Sequence, residues 1–396
     1  MLKIAIDGNE ANVTNRVGCN VYAFELLQAL EEITIGQSYT QDEPELAADI
    51  TVLLAAEPHN EWPKAREGWQ YQVIKPSQFW TQWAEPLYLA SHAKHYDVFY
   101  TPGHYAPRLC PVPYLSSVMD LAFLEFPNQF QARDLFQLQK WTSYSIKNAT
   151  KVAAISQFTK SEIIKHYHKN ETEIIVIPPG SSEFEPEAIS QKVARQLLRQ
   201  AGIGRHFFLY VGTIQPRKNL IKLIAAFDLL CDELGEAATD LQLVIAGKVG
   251  WLADETLARV AASPHQSQII LPGFVSDEFK QVLLERCLAN FNLGLYEGFG
   301  IPALEALQLG AIPVVANNTS LPEVIGPAGI KVDPTDLKQI KAAMQRLLQV
   351  TMFERDVFLA QAKKQIQKYS YDQSARLVLH TLQEIASTKK SCLKPA

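Results

Sequence analysis

Short apolar or alternating runs recur along the chain between stretches of helical periodicity. In the first half they are LKIAID (2–7), ITVLLAA (50–56), DVFYTP (97–102), YLSSVMD (114–120), KVAAIS (151–156) and EIIVIPPG (173–180). Helical patterns such as 20–32 and 129–148 separate them, and strand-length runs alternating with helices predict a parallel α/β sheet. After a cluster of proline, glycine and serine near 178–186 the rhythm restarts, with strand-like runs at 207–212, 241–247, 268–273, 288–296 and 312–317. That cluster reads as the link between two α/β domains. We expect a first domain over 1–185, a second over 186–365, and a helical tail, 366–390, crossing back to the first. The aromatic stretch QFWTQWAEPLYLA (78–90) reads as helix core packing rather than sugar stacking.

Doubly wound sheets bind ligands beyond the carboxyl ends of their strands. Two such domains facing across a cleft would line it with loops from both, so residues just after strands are the candidates for chemistry. The loop after 288–296 carries Glu297, then Gly298, Phe299, Gly300 and Pro302, then Glu305. Proline suits the start of a helix, and a turn with outward amides at a helix start favours phosphate. A carboxylate on each side would accept hydrogen bonds from hydroxyls, and together these features fit a nucleotide sugar. Read alone, the two acids also fit a solvated turn and helix. The GxGxxA pattern of GFGIPA fits a dinucleotide fingerprint as well, but the next strand ends in Asn317 and Asn318 rather than an acid for a ribose. After strand 207–212, Arg217 and Lys218 stand at a helix start, where cations oppose the dipole unless an anion joins them.

Composition narrows the classes. Apolar residues make up 47% of the 396, charged residues 20%, and the net charge is −5 with no long basic run, which argues against nucleic acid. Five scattered cysteines, with neither CxxC nor zinc spacing, predict a reduced, cytoplasmic protein, and no Asp-x-Asp stands at a strand end to hold a metal. The N-terminus reads as a first strand rather than a signal peptide, and no window is apolar for long enough to span a membrane.

The glutamate loop resembles the C-terminal signature of retaining glycosyltransferases of family 4 (glycosyl transferases group 1). In that signature a glutamate, seven residues and a second glutamate precede a small-residue turn and an apolar strand. Here the order is Glu297, GFGIPAL, Glu305, LGAIPVVANNTSLPEVIG and VDPTD. VGTIQPRKNL, with Gly212, is similar to that family's PRKN turn. The resemblance implies the GT-B fold, two Rossmann-like domains. It gives Glu297 the donor sugar, Glu305 the ribose, and Arg217 and Lys218 the pyrophosphate. Gly247 and Lys248 match the AG turn.

In the first half, Gly18, Cys19 and Asn20 stand where the family carries GxG near the donor phosphates. Met119 and Asp120 stand where it carries His-Asp, so the usual sugar contact is altered and His104, on the preceding loop, is a polar substitute. Ser156 matches a serine at a strand end and equally fits a helix N-cap.

The implied activity is metal-independent, retaining transfer of a hexose, with mannose the first choice, from a nucleotide diphosphate sugar to a hydroxyl acceptor in polysaccharide, lipopolysaccharide or glycolipid synthesis. It needs no cofactor besides the donor. A lipid-linked acceptor would bring the chain into peripheral contact with the inner face of the membrane. The alternatives are a nucleotide-sugar epimerase or hydrolase of the same fold, and a non-catalytic sugar-binding protein.

Overall fold

The structure is a computed structural model describing residues 1–396 apart from 15, 17, 37–47, 104, 182–188 and 393–396. The apolar runs assemble into two all-parallel sheets. The first orders its strands β3-β2-β1-β4-β5-β6-β7, where β1 is Leu2–Asp7, β2 Ala48–Leu54, β3 Trp69–Val73, β4 Val98–Thr101, β5 Tyr114–Val118, β6 Lys151–Ala154 and β7 Ile174–Val176. The second orders them β10-β9-β8-β11-β12-β13, where β8 is His206–Val211, β9 Leu241–Ala246, β10 Ile269–Gly273, β11 Ala289–Asn292, β12 Pro313–Ala316 and β13 Ile330–Val332. Helices on both faces bury the strands, so β4, β5, β11 and β12 are buried along their whole lengths. Burial on both faces is typical of parallel sheets, and it extends here to polar residues, Ser116 and Ser117 on β5 and Asn290 and Asn292 on β11.

Two compact units result, Met1–Ser182 with Tyr369–Ala396, and Glu183–Lys368. The chain returns to the first unit at Tyr369, whose carbonyl accepts from the Ser181 amide at 3.0 Å. The helix Tyr371–Cys392 then packs on the helix Cys19–Gly36 and on β4 and β5. Gly180 permits that return, because a Cβ there would lie 2.2 Å from the Tyr371 amide nitrogen.

Each sheet changes winding direction once, between β1 and β4 and between β8 and β11. Crevices at such points, beyond the carboxyl ends, are where doubly wound sheets bind ligands. Several expectations are corrected. The run 288–296 is a strand only over Ala289–Asn292, after which the Leu295 amide turns away to the Arg217 carbonyl at 2.8 Å. The span 129–148 is split into helices Ala132–Gln137 and Ser143–Asn148 by the π-turn Leu138–Thr142. The helical tail expected over 366–390 is not among these corrections: it is the helix Tyr371–Cys392, which follows the helix Met352–Ile366.

Candidate active site

In the second unit the switch point lies between the loops that follow β8 and β11, and both carry charged candidates. Past β8 the chain runs through Gly212 to a single 3-10 turn, Pro216–Lys218. Asn219 follows in the left-handed region (φ 58°), fixed by its Nδ2 donating to the Pro334 carbonyl at 2.7 Å. That corner aims both cations at the neighbouring loop. Lys218 Nζ reaches Glu297 Oε1 at 2.6 Å, and Arg217 Nη1 lies 3.1 Å from the Tyr296 carbonyl and 3.5 Å from Glu297 Oε2. The three side chains are 14–19% exposed, so each charge is largely withdrawn from water yet open on one side. Two cations thus converge on the Glu297 carboxylate at the carboxyl ends of β8 and β11.

The turn at 298–300 is held from behind. Ser320 Oγ bonds the carbonyls of Glu297 and Phe299 at 2.8 and 2.9 Å, and Phe299 is only 3% exposed. Gly300 takes φ 100°, and a Cβ there would strike Leu321 Cδ2 at 2.4 Å. The helix Ile301–Gln308 follows, with Pro302 its second residue rather than its first. Glu305 lies within it and pairs with Lys280 Nζ at 2.8 Å. Burial works against the Lys280 charge, but Glu305 and Asp277 carry its pKa above the usual value. Lys280 was not legible in the sequence, because this contact joins two helices 25 residues apart.

Beside this cluster, β9 is followed by Gly247 and Lys248, whose Nζ lies 4.8 Å from the Phe274 ring centroid. Val249 and Phe274 are 60% and 62% exposed, and the Ile214 amide ties this loop to the Lys248 carbonyl at 2.8 Å. These two exposed apolar residues lie on the loops after the adjacent strands β9 and β10.

In the first unit Gly18 adopts φ 50° with no atom near a built Cβ, and the helix begins at Cys19. The Asn20 amide is spent on a residue the sequence did not single out, donating to Glu10 Oε1 at 2.7 Å and to the Glu10 carbonyl at 2.9 Å. Cys19 Sγ lies 3.0 Å from Glu10 Oε1, and burial followed by the Glu10 charge pushes its thiol well above the usual range, so it is no nucleophile. Asp120 accepts from the Ala122 amide at 3.1 Å. Met119 is 7% exposed and packs in the interior. Ser156 is fully buried and caps the helix Gln157–Tyr167, accepting from the Thr159 amide at 3.0 Å. His104 lies outside the described residues.

Asp7, at the end of β1, is buried. Desolvation raises its carboxyl from 3.8 to about 7, opposed by the Asn9 amide at 2.9 Å and assisted by Glu10. Glu85, fully buried with no hydrogen bond to either carboxyl oxygen, is driven upward by burial and by Asp7. The folded state therefore keeps protons that the unfolded chain releases between pH about 4 and about 7. Stability should fall as pH rises through that window, by about 4 kcal/mol for Asp7. Urea midpoints at pH 5 and 8 check this. Asp7→Asn should flatten the dependence, and an unchanged slope would remove Asp7 as its source.

Among the described residues, Glu125, Glu162 and His166 have metal-ligand spacing. Lys165 already bridges the two carboxylates, at 3.0 and 3.2 Å.

Residues 196–368 match the family described as glycosyl transferases group 1. The chain is 28% identical over 277 residues to O-antigen chain mannosyltransferase B of Escherichia coli, covering 69% of this chain and 71% of that one. It is 32% identical over 236 residues to the serotype-specific mannosyltransferase WbdA of Escherichia coli, covering 59% of this chain and 28% of that relative, so the chain spans under a third of WbdA. Among solved structures, sucrose-phosphate synthase from Thermosynechococcus elongatus superposes with a TM-score of 0.70 at 16% identity, over 98% of this chain and 100% of that one. Anabaena HepE in complex with UDP and glucose gives 0.71 at 16%, over 97% and 100%. At this identity the likeness establishes the fold, GT-B.

Proposed function

We propose, on the premise that residues 196–368 form a glycosyl transferases group 1 domain of a GT-B glycosyltransferase, that the chain is a retaining mannosyltransferase extending an O-antigen-type polysaccharide from a nucleoside diphosphate mannose. GDP-mannose is the donor of choice. The observation that carries this reading is the Arg217–Lys218–Glu297 cluster at the switch point of the second sheet. Its two adjacent cations suit a departing diphosphate, and stabilising charge that develops in the transition state is commonly what contributes most to catalysis. The similarity to O-antigen mannosyltransferases supports the choice of sugar and acceptor.

In the reaction the acceptor oxygen bonds the anomeric carbon on the face from which the diphosphate departs. The bond from that carbon to the phosphate oxygen breaks, and a diphosphate oxygen takes the acceptor proton. The reaction requires neither a protein nucleophile nor a metal. Glu297 then exchanges cation contacts for sugar hydroxyls as the diphosphate arrives. Glu305, held upright by Lys280, accepts from the ribose, and Val249 and Phe274 cover the base.

Calorimetry with UDP, GDP and ADP tests the donor site. One of them should bind at micromolar affinity, and Glu305→Ala should weaken it about tenfold, roughly 1.4 kcal/mol. If no diphosphate binds, or if the variant matches wild type, the donor assignment is wrong. Product anomeric configuration by NMR, with and without EDTA, then tests retention and metal independence.

A further inference from the structure

In the second unit the helix Gln191–Gln200 carries Lys192, Arg195 and Arg199 and no carboxylate. Arg195 and Arg199 stand one turn apart on one face, a like-charge pair that weakens a helix unless something answers it. Ala194 is buried and Leu198 packs on the core, so the helix lies against its neighbour Asp277–Arg286 with the arginines outward. Beside this pair of helices, at the amino ends of β8 and β9, lies a hollow of about 690 Å³ where Arg195, Arg199, Arg205 and Arg286 converge with Gln242. That volume falls within the range of small-molecule sites.

No carboxylate lines the hollow. Glu285, next to Arg286 in sequence, instead accepts from Gln281 Nε2 at 2.8 Å. Among the described residues none of the four arginines forms an ion pair, whereas in the same unit Arg259 pairs with Asp228 and Lys341 with Glu233. Helix ends account for two of the four, since Arg199 and Arg286 lie in last turns, where the dipole favours a cation. Arg195 within the helix and Arg205 just ahead of β8 have no such reason.

The frame that carries them is tied down. Gln242 Oε1 accepts from the Gly204 amide at 2.7 Å, its Nε2 donates to the Gly202 carbonyl at 3.1 Å, and the Ile203 amide donates to the Leu198 carbonyl at 2.9 Å. The corner bearing Arg205 is thereby bonded both to the helix and to β9. Phe207, the one ring in the lining, is fully buried, so the hollow recognises charge and not a base. Each guanidinium is a planar fork suited to phosphate or carboxylate. Two or three linked phosphates bring enough negative charge for all four in a small volume, whereas a carboxylate ligand would need about one carboxyl group per arginine.

We propose that Arg195, Arg199, Arg205 and Arg286 form a second anion site for a small ligand with two or more linked phosphates, the remainder of the ligand projecting into solvent. It is separate from the donor cluster, because β8 and β9 begin here and end at the loops of Arg217, Lys218 and Lys248. The six residues of β8 put about 20 Å between the two groups of cations. The site rests on no part of the transferase reading.

Calorimetry with tripolyphosphate on the full chain carrying Arg217→Ala, which weakens the donor cluster, reads this site. One tripolyphosphate should bind at micromolar affinity, weakening as salt rises. GTP should bind within about threefold of it and inorganic phosphate at least about tenfold more weakly. Adding Arg195→Gln and Arg205→Gln should weaken tripolyphosphate at least about tenfold without changing thermal unfolding, since both side chains are exposed. Failure to bind tripolyphosphate, or equal binding after the two added substitutions, overturns the proposal and leaves the donor site untouched. So does inorganic phosphate that binds as tightly, because the hollow would then hold any anion. Tripolyphosphate binding that the added substitutions abolish, in a chain whose wild type binds UDP, GDP and ADP no better than Arg217→Ala does, would uphold this site and fail the donor assignment.

Discussion

Arg217→Ala is expected to slow glycosyl transfer by about 10²–10³-fold and to weaken nucleoside diphosphate binding at least tenfold. The guanidinium is anchored on the Tyr296 carbonyl at 3.1 Å and stands 3.5 Å from Glu297, so it is placed before any donor arrives and needs little reorganisation. Arg217→Lys should recover little of the loss, since an ammonium lacks the fork that holds carbonyl and anion together. Glu297→Gln provides the contrast. It keeps shape but removes the carboxylate that Lys218 contacts at 2.6 Å, and with it a negative charge that competes with an anion for the cations. Free diphosphate should then bind as tightly as to wild type or tighter, while turnover falls. Calorimetry beside initial rates separates the two variants. If both weakened diphosphate binding alike, Glu297 would be a structural partner of the cations and not their competitor for the leaving group.

Much of this was legible in the sequence because strand length, glycine punctuation and loop chemistry are local. FFLYVG, LQLVIAG and QIILPG each end in glycine at a carboxyl end, and they became β8, β9 and β10. The features without a sequence signal are set by partners distant along the chain. WQYQV (69–73) is the exception, since its Trp, Tyr and Val alternate with glutamine as in a half-buried strand, and β2 pairs with it in register from Ile50 to Leu54. IKV (330–332) is too short to carry a period and is recruited by β12. The approach of Lys218 to Glu297 spans 79 residues, and no local pattern reports it. The aromatic face at 79–87 reads as core for the opposite reason. Periodicity shows that a stripe exists, and only the packed structure shows that one side of it, Phe79, Trp83 and Leu87, is left in water.

The same row of glycines supports the largest stability effect. Gly212 and Gly247 both have φ 149°, and a Cβ on Gly247 would lie 1.9 Å from the Gly212 carbonyl oxygen. That oxygen belongs to backbone and cannot rotate aside, so the two loops would have to separate. Separation would break the Gly212 amide bond to the Ala246 carbonyl, 2.9 Å, and the Ile214 to Lys248 bond that ties the cation-bearing turn down. Gly247→Ala should therefore cost on the order of 4 kcal/mol or more, the range reached when overpacking and backbone strain coincide. Gly202 is the control. It also has positive φ, 70°, but a Cβ there meets nothing within 4 Å, so Gly202→Ala pays the left-handed backbone alone, about 1–2 kcal/mol. Urea denaturation of the two variants should give clearly different midpoints. Equal midpoints would mean that the loops at the carboxyl ends of β8 and β9 yield freely, and a site that yields cannot hold Arg217 and Lys218 ready for an anion.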